Sequence, residues 1–196
     1  GTQGSWERDK KIKQFCKSNQ INWQESQRDG ILRGIKNRKD WNKKWHLKMH
    51  RSVIQNKYSI SKEMRLEHPF LMPSTLKSQL QDYPNHYQPP GEKNAWRYLK
   101  SFTKKRGFNY QRHISKPMKS RISCSRLSPY LAWGNMSIKQ AFQFIGTHPN
   151  GTKNSKPFSA MLTRLHWHCH FIQKFEMECR YETECINSGY EILPHE

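Results

Sequence analysis

The chain has 196 residues, of which 35 are Lys or Arg and 15 Asp or Glu, giving a formal net charge of +20, with 34% hydrophobic residues and a mean hydropathy of −1.05. No run approaches the ~20 apolar residues of a membrane span and the start has no secretory h-region; five cysteines without CxxC spacing argue against a disulfide scaffold. An aromatic share of 12% with seven Trp argues against wholesale disorder, so the expectation is one or two modest domains in a reducing cytoplasm. The positive field draws polyanions, nucleic acid first; the alternatives are a merely soluble surface or a piece separated from an acidic remainder. The chain opens at GTQGSWERD without an initiator Met, which leads us to expect a fragment of a longer protein.

From Trp6 to Asn19, Ile12, Phe15 and Cys16 recur at helical spacing between lysines, with Asp9 near the start, and predict an amphipathic helix. Ile21, Trp23 and Glu25 alternate as in a short strand, and Asp29-Gly30 marks a turn. Helix, strand and turn in that order look like the end of an α/β unit, although one strand makes no sheet. Between Arg33 and Arg51 lie ten cationic or potentially cationic side chains, interleaved with Trp41, Trp45 and Met49 at i, i+4, i+8. Two readings fit: a basic face following DNA, or a helix that packs its Trp stripe on the body while the cations stay solvated, the second being ordinary helix patterning. Pro69, Pro73, Pro84, Pro89 and Pro90 predict an irregular crossing from 52 to 90 with one short helix over Thr75 to Gln81.

Ala95, Trp96, Leu99, Phe102 and Thr103 predict a helix opened by Gly91-Glu92 and ended by Gly107, followed by a loop from Phe108 through Pro117. The stretch SCSRLSPYLAWGNMS, Ser123 to Ser137, passes from small polar residues into a helix, with Ser128 as N-cap and Pro129 as first helical residue. It offers hydroxyls, the Arg126 cation and helix N–H groups to an anion, or it is an ordinary helix start. Leu131 to Ile145 reads as two short helices broken at Gly134-Asn135, with Ser137 capping the second, and Thr147 to Lys156 reads as a surface turn. Ser159 to Cys179 reads as one continuous helix, with Leu162, Leu165, Phe171 and Phe175 apolar. His166 and His170 share a face of it at i, i+4; no third metal ligand is pinned by spacing, so histidines lining a pocket or satisfied in the core are the competing reading. Glu176, Glu178, Glu182 and Glu184 form an acidic patch expected to cover the helix end and the turn after it.

The string Ser125, Arg126, Leu127, Ser128, Pro129, Tyr130, Leu131, with Gly134 and Ser137 after it, resembles the segment of the DNA photolyase/cryptochrome family that wraps the flavin pyrophosphate, Cys124 standing where that family usually has Thr. The helix SAMLTRLHWHCHFIQKFEMEC resembles the family helix beneath the flavin ring, and its RLHWHCHF form is similar to that of a divergent bacterial branch. The resemblance implies a mainly α fold, the first half of a helical FAD-binding domain over 91–196. Residues 1–35 would be a helix-strand remnant of the α/β Rossmann-like antenna domain, and 36–90 the basic interdomain linker. It implies FAD as cofactor, with Tyr110, Cys124, Ser125, Arg126, Leu127, Ser128, Met161 and His168 as binding residues, and an antenna pigment on the missing N-terminal domain. Trp167 falls on the Trp beside the lesion pocket, and Arg164 on the Glu that hydrogen-bonds the thymine dimer, a replacement that leaves only fixed donors and positive charge.

The activity so implied is blue-light-driven repair of pyrimidine dimers in DNA by the full-length protein, a carbon–carbon lyase. Its completion requires the second half of the FAD domain, which does not follow Glu196. The expectation is therefore a fragment with little activity by itself. A cryptochrome-type sensor without repair activity is one alternative, and a flavin-free basic nucleic-acid-binding fragment is the other.

Overall fold

The structure is a computed structural model describing residues 3–55, 71–82, 84, 86–153 and 155–194. Among these residues every regular element is helical. In chain order they are α1 (Gln3–Ser18), α2 (Trp41–His50), α3 (Ser74–Gln81) and α4 (Glu92–Lys104), then a 3₁₀ turn (Arg106–Asn109), α5 (Tyr110–His113) and α6 (Pro117–Ser123). There follow α7 (Ser128–Ala132), α8 (Ile138–Thr147), α9 (Pro149–Lys153) and α10 (Ser155–Met177), with single 3₁₀ turns at Cys179–Glu182 and Ser188–Tyr190.

α10 runs through the centre, packing against α5 and α8, and α8 in turn packs on α2. The i, i+4, i+8 spacing of Trp41, Trp45 and Met49 puts all three on one face of α2, where they are 2%, 1% and 0% exposed. Each buried indole removes roughly 200 Å² from water, worth about 5 kcal/mol at ~25 cal/mol/Å², so the stripe is core and not solvated surface. It meets Leu99 and Phe102 of α4, Ile138 and Ile145 of α8, and Leu165 and Cys169 of α10 in one cluster. Gly30 lies flat against this stripe: Trp41 Nε1 donates to its carbonyl at 3.0 Å, and a Cβ there would run into the indole of Trp45.

Several sequence expectations are corrected. Residues 21–25 form no strand; a strand needs a neighbouring backbone, and the described residues supply none. The chain is held instead a few residues later by a side chain. The Gln173 amide, fully buried in α10, accepts from Leu32 N at 2.6 Å and donates to Leu32 O at 2.8 Å, imitating one rung of a ladder. α1 starts at Gln3, so Asp9 lies beyond the first turn, and of its apolar residues only Cys16 is buried, Ile12 and Phe15 being exposed. The span expected as a loop from Phe108 through Pro117 is wound into the 3₁₀ turn and α5, with Pro117 starting α6; Gly107 sits in that 3₁₀ turn, and α4 ends at Lys104. Pro149 starts a short helix in the region expected as a surface turn, and α10 spans Ser155–Met177, leaving Cys179 in the next 3₁₀ turn and Phe171 exposed. Ser137 caps α8 with a reciprocal capping box to Gln140, as its position predicts. α3 covers the predicted short helix with one extra residue at its start; Pro69 and Glu196 lie outside the described residues.

The acidic patch divides. Glu176 is 8% exposed and pairs with Arg33 at 3.3 Å, while Arg33 also meets Asp9 at 3.1 Å and Glu25 at 2.7 Å and lies 4.2 Å over the Trp6 ring. This three-carboxylate anchor ties α1 and the segment after it to the end of α10. Glu184 stays on the surface and pairs with Arg180.

Candidate functional site

A cleft of about 450 Å³ opens between the segment 124–128, α5 and the middle of α10. It is lined by Tyr110, by Cys124, Ser125, Arg126, Leu127 and Ser128, and by Met161, Arg164 and His168, with Gln88, Leu131 and Leu165 completing the wall. The residues from α10 fall at 161, 164, 165 and 168, one helical face by the i, i+3, i+4, i+7 rule. Nine of the ten residues selected from the sequence therefore face one space. Trp167, the tenth, sits outside this lining, 44% exposed, with the Arg164 guanidinium 4.7 Å over its ring and Phe171 edge-on.

The backbone reverses at Arg126, whose φ of +62° is left-handed; for a non-glycine residue this costs of order 1 kcal/mol or more and is characteristic of ligand-holding loops. The reversal buries Leu127 (1% exposed) and holds Ser125 (7% exposed) at the cleft wall. Gln88 fixes the turn by a reciprocal pair: Arg126 Nε donates to Gln88 Oε1 at 2.9 Å and Gln88 Nε2 donates to the Arg126 carbonyl at 2.8 Å. The two Nη groups of Arg126 keep no protein partner among the described residues. Ser128 is the first residue of α7 and not its cap, and no side chain caps that helix. With only five residues α7 carries little dipole, so any anion held here relies on Arg126 and the hydroxyls.

Below the cleft, Arg106 is the spoke that shapes it. Its guanidinium donates to the carbonyls of Cys124 at 2.5 Å, Tyr98 at 3.0 Å and Ile122 at 3.3 Å, and to Ser101 Oγ at 3.0 Å. Burial, and then the nearby Arg126 charge, push its pKa down, while Tyr98 and Cys124 oppose that shift. Burial pushes the Tyr110 hydroxyl up to about 12, with Cys124 adding to the rise and Arg164 opposing it, and burial also raises the Cys124 thiol against the pull of Arg106 and Arg126. At neutral pH both groups are therefore uncharged. His168 has a lowered pKa, desolvation outweighing the attraction of Asp29. No carboxylate lines the cleft among the described residues, so its charged groups are all cationic, and the donor set suits a phosphate or pyrophosphate joined to a flatter, less polar body.

Arg106 and Gln88 were missed in the sequence. Arg106 follows Lys104 and Lys105 and reads as another solvated cation, and Gln88 lies among prolines in what reads as linker; only long-range contact reveals either. The histidine pair is engaged elsewhere. His166 packs on Trp41 and Trp45 and bonds Asn42 at 3.1 Å, and His170 Nδ1 bonds Arg38 Nη2 at 2.6 Å.

Comparison with known proteins yields no match: no protein-family model fits the chain, and neither curated proteins nor solved structures gave a similar one. What fold and site define is thus a helical protein with an anion-favouring cleft. No helix among the described residues is long and apolar enough to cross a membrane.

Proposed function

We propose that the cleft between residues 124–128 and α10 holds FAD and that the chain is part of a photolyase-like flavoprotein acting on DNA. The reading is supported above all by the convergence of nine residues that the resemblance implies, from three separate stretches of sequence, on one cleft lined by cations and hydroxyls. Ser125, Arg126 and Ser128 bind the pyrophosphate; the left-handed turn at Arg126 and the Gln88 clamp pre-orient the guanidinium, so little order is lost on binding. Tyr110, neutral at working pH, offers a hydroxyl without repelling phosphate. Met161 and Leu165 supply the apolar surface that excludes water from the cofactor's less polar part. When bound, FAD supplies blue-light absorption and one-electron transfer. Arg164, stacked on Trp167, presents positive charge at the cleft edge, where it steadies an electron-rich base or a DNA phosphate.

Arg164 occupies the position where a repair enzyme's carboxylate is expected, and this favours a second reading, a blue-light sensor without repair activity. Illuminating FAD-loaded protein with dimer-containing oligonucleotide separates the two. Loss of dimer that depends on light and on Trp167 supports repair; a stable light-induced flavin spectrum with intact dimer supports sensing.

A further inference from the structure

A second cleft, of about 400 Å³, lies between the Gln27–Asp29 turn, the residues following α2 and the start of α8. We infer that it binds the phosphate backbone of a single-stranded nucleic acid through Lys48 and Lys139. Lys48 and Lys139 line the space, and the Arg51 carbonyl is tied to α8 by Gln143 Nε2, which donates to it and to the Met49 carbonyl at 2.7 Å each. The end of α2 is thereby fixed against α8. The cleft's carboxylate, Asp29, is already matched: one oxygen accepts from Ile138 N at 3.2 Å and the other pairs with Arg28 at 3.4 Å. Lys48 and Arg51 have no ion-pair partner among the described residues, and the Lys139 ammonium has a single long bond, 3.4 Å, to the Ser52 carbonyl.

This arrangement is costly for the fold. Lys139 sits in the first turn of α8, where the helix dipole disfavours a cation; that turn holds no acidic residue, and the Asp29 carboxylate beside it is shared between Ile138 N and Arg28. Burial, and then the charges of Lys48 and Arg51, depress its pKa. Lys48 in the last turn of α2 is well placed for that helix, but stability gives no reason to bring Arg51 and Lys139 beside it. Like charges crowded around a concavity mark a site kept for an anion. At the start of α8, Ile138 N is taken by Asp29 and Gln140 N by the Ser137 hydroxyl, so side-chain cations are the main anchors. Trp133, which precedes Gly134 of the cleft wall and lines the separate hollow with Pro129, Tyr130 and Asn135, is 84% exposed and offers a stacking face of the kind single-strand binders use.

This site shares only Leu131 with the first cleft, and its test contains no flavin. Fluorescence anisotropy with a labelled oligo-dT of about 12 nucleotides, across a salt series, reads it directly. Lys48→Gln/Lys139→Gln should weaken binding about tenfold near ~0.1 M salt and lower the salt slope by about 1.4, two contacts at ~0.7 each. Its melting temperature should equal or exceed that of the wild type, because a repulsion is relieved. Trp133→Ala should weaken binding without changing the slope, and Lys139→Arg should retain binding. Lys11→Gln/Lys17→Gln, which removes the same charge from the exposed face of α1, should change little. No binding by the wild type, an equal loss in the α1 variant, or full displacement by stoichiometric ATP would overturn the inference.

Discussion

Replacing Arg106 with Met keeps most of the aliphatic stem and removes the guanidinium. That group makes three strong bonds, to Cys124 O at 2.5 Å, Tyr98 O at 3.0 Å and Ser101 Oγ at 3.0 Å, and two longer ones, to Ile122 O at 3.3 Å and Ser125 O at 3.4 Å. A hydrogen bond to a charged group is worth about 1.5–3 kcal/mol. Here the low end applies, because Arg106 is only partly buried and has already paid desolvation, as its lowered pKa shows. Three bonds less that desolvation leave a loss of about 3 kcal/mol, or a Tm lower by about 6–12 °C for a chain of this size. Thermal unfolding followed by circular dichroism measures it, and Arg106→Lys, reaching fewer of the carbonyls, should recover less than half. If Arg106→Met melts within about 1 kcal/mol of the wild type, the carbonyls of 122–125 are held by something else and the account of how the cleft is shaped is wrong.

Gln173→Leu should cost about 2–3 kcal/mol, since it strips both bonds from Leu32 and leaves that peptide without its buried partner; hydrogen exchange at Leu32 should accelerate, and unchanged protection there would contradict the rung. Acid should destabilise the protein before its carboxylates titrate. His166, His168 and His170 all have pKa values lowered from 6.5, in each case first by burial, with His46, His170 and Arg38 adding to the effect at His166. The unfolded chain therefore binds more protons than the folded one as pH falls below about 6.5. Stability is full above that pH and is lost towards the lowered folded values. The Asp9 contribution, from a pKa lowered below 3.8, is lost only in stronger acid. A Tm that stays flat from pH 7.5 to 5 would sink the histidine argument.

Local patterns made the helices legible. The 3.6-residue spacing of Trp41, Trp45 and Met49, the Ser137 box and the Leu162–Leu165 region each depend on neighbours within a turn or two, and each element formed. The strand expected at 21–25 does not form: alternation reports only which side chains point together, and pairing is a long-range event; the chain is held instead at Leu32, by Gln173, 141 positions on. Arg33 also reads as one cation in a basic run, yet it is the hub of three carboxylates, two of them distant in sequence. In the site, the segment 123–128 was visible because small polar residues, Arg and Pro sit next to one another, whereas Gln88 and Arg106 act across long loops and leave no local mark. Trp167, one turn beyond Arg164 on α10, lies beneath its guanidinium outside the cleft lining, a contact that helical i, i+3 spacing permits.

The most direct test of the central claim is a titration of the purified chain with FAD, read by flavin absorbance and fluorescence, alongside FMN and an Arg126→Ala variant shown to be folded. The account predicts one FAD per chain, weaker binding of FMN, which lacks the pyrophosphate, and loss of FAD binding in the variant. Failure of the folded wild type to bind FAD, or equal binding by Arg126→Ala, would contradict the assignment of the cleft.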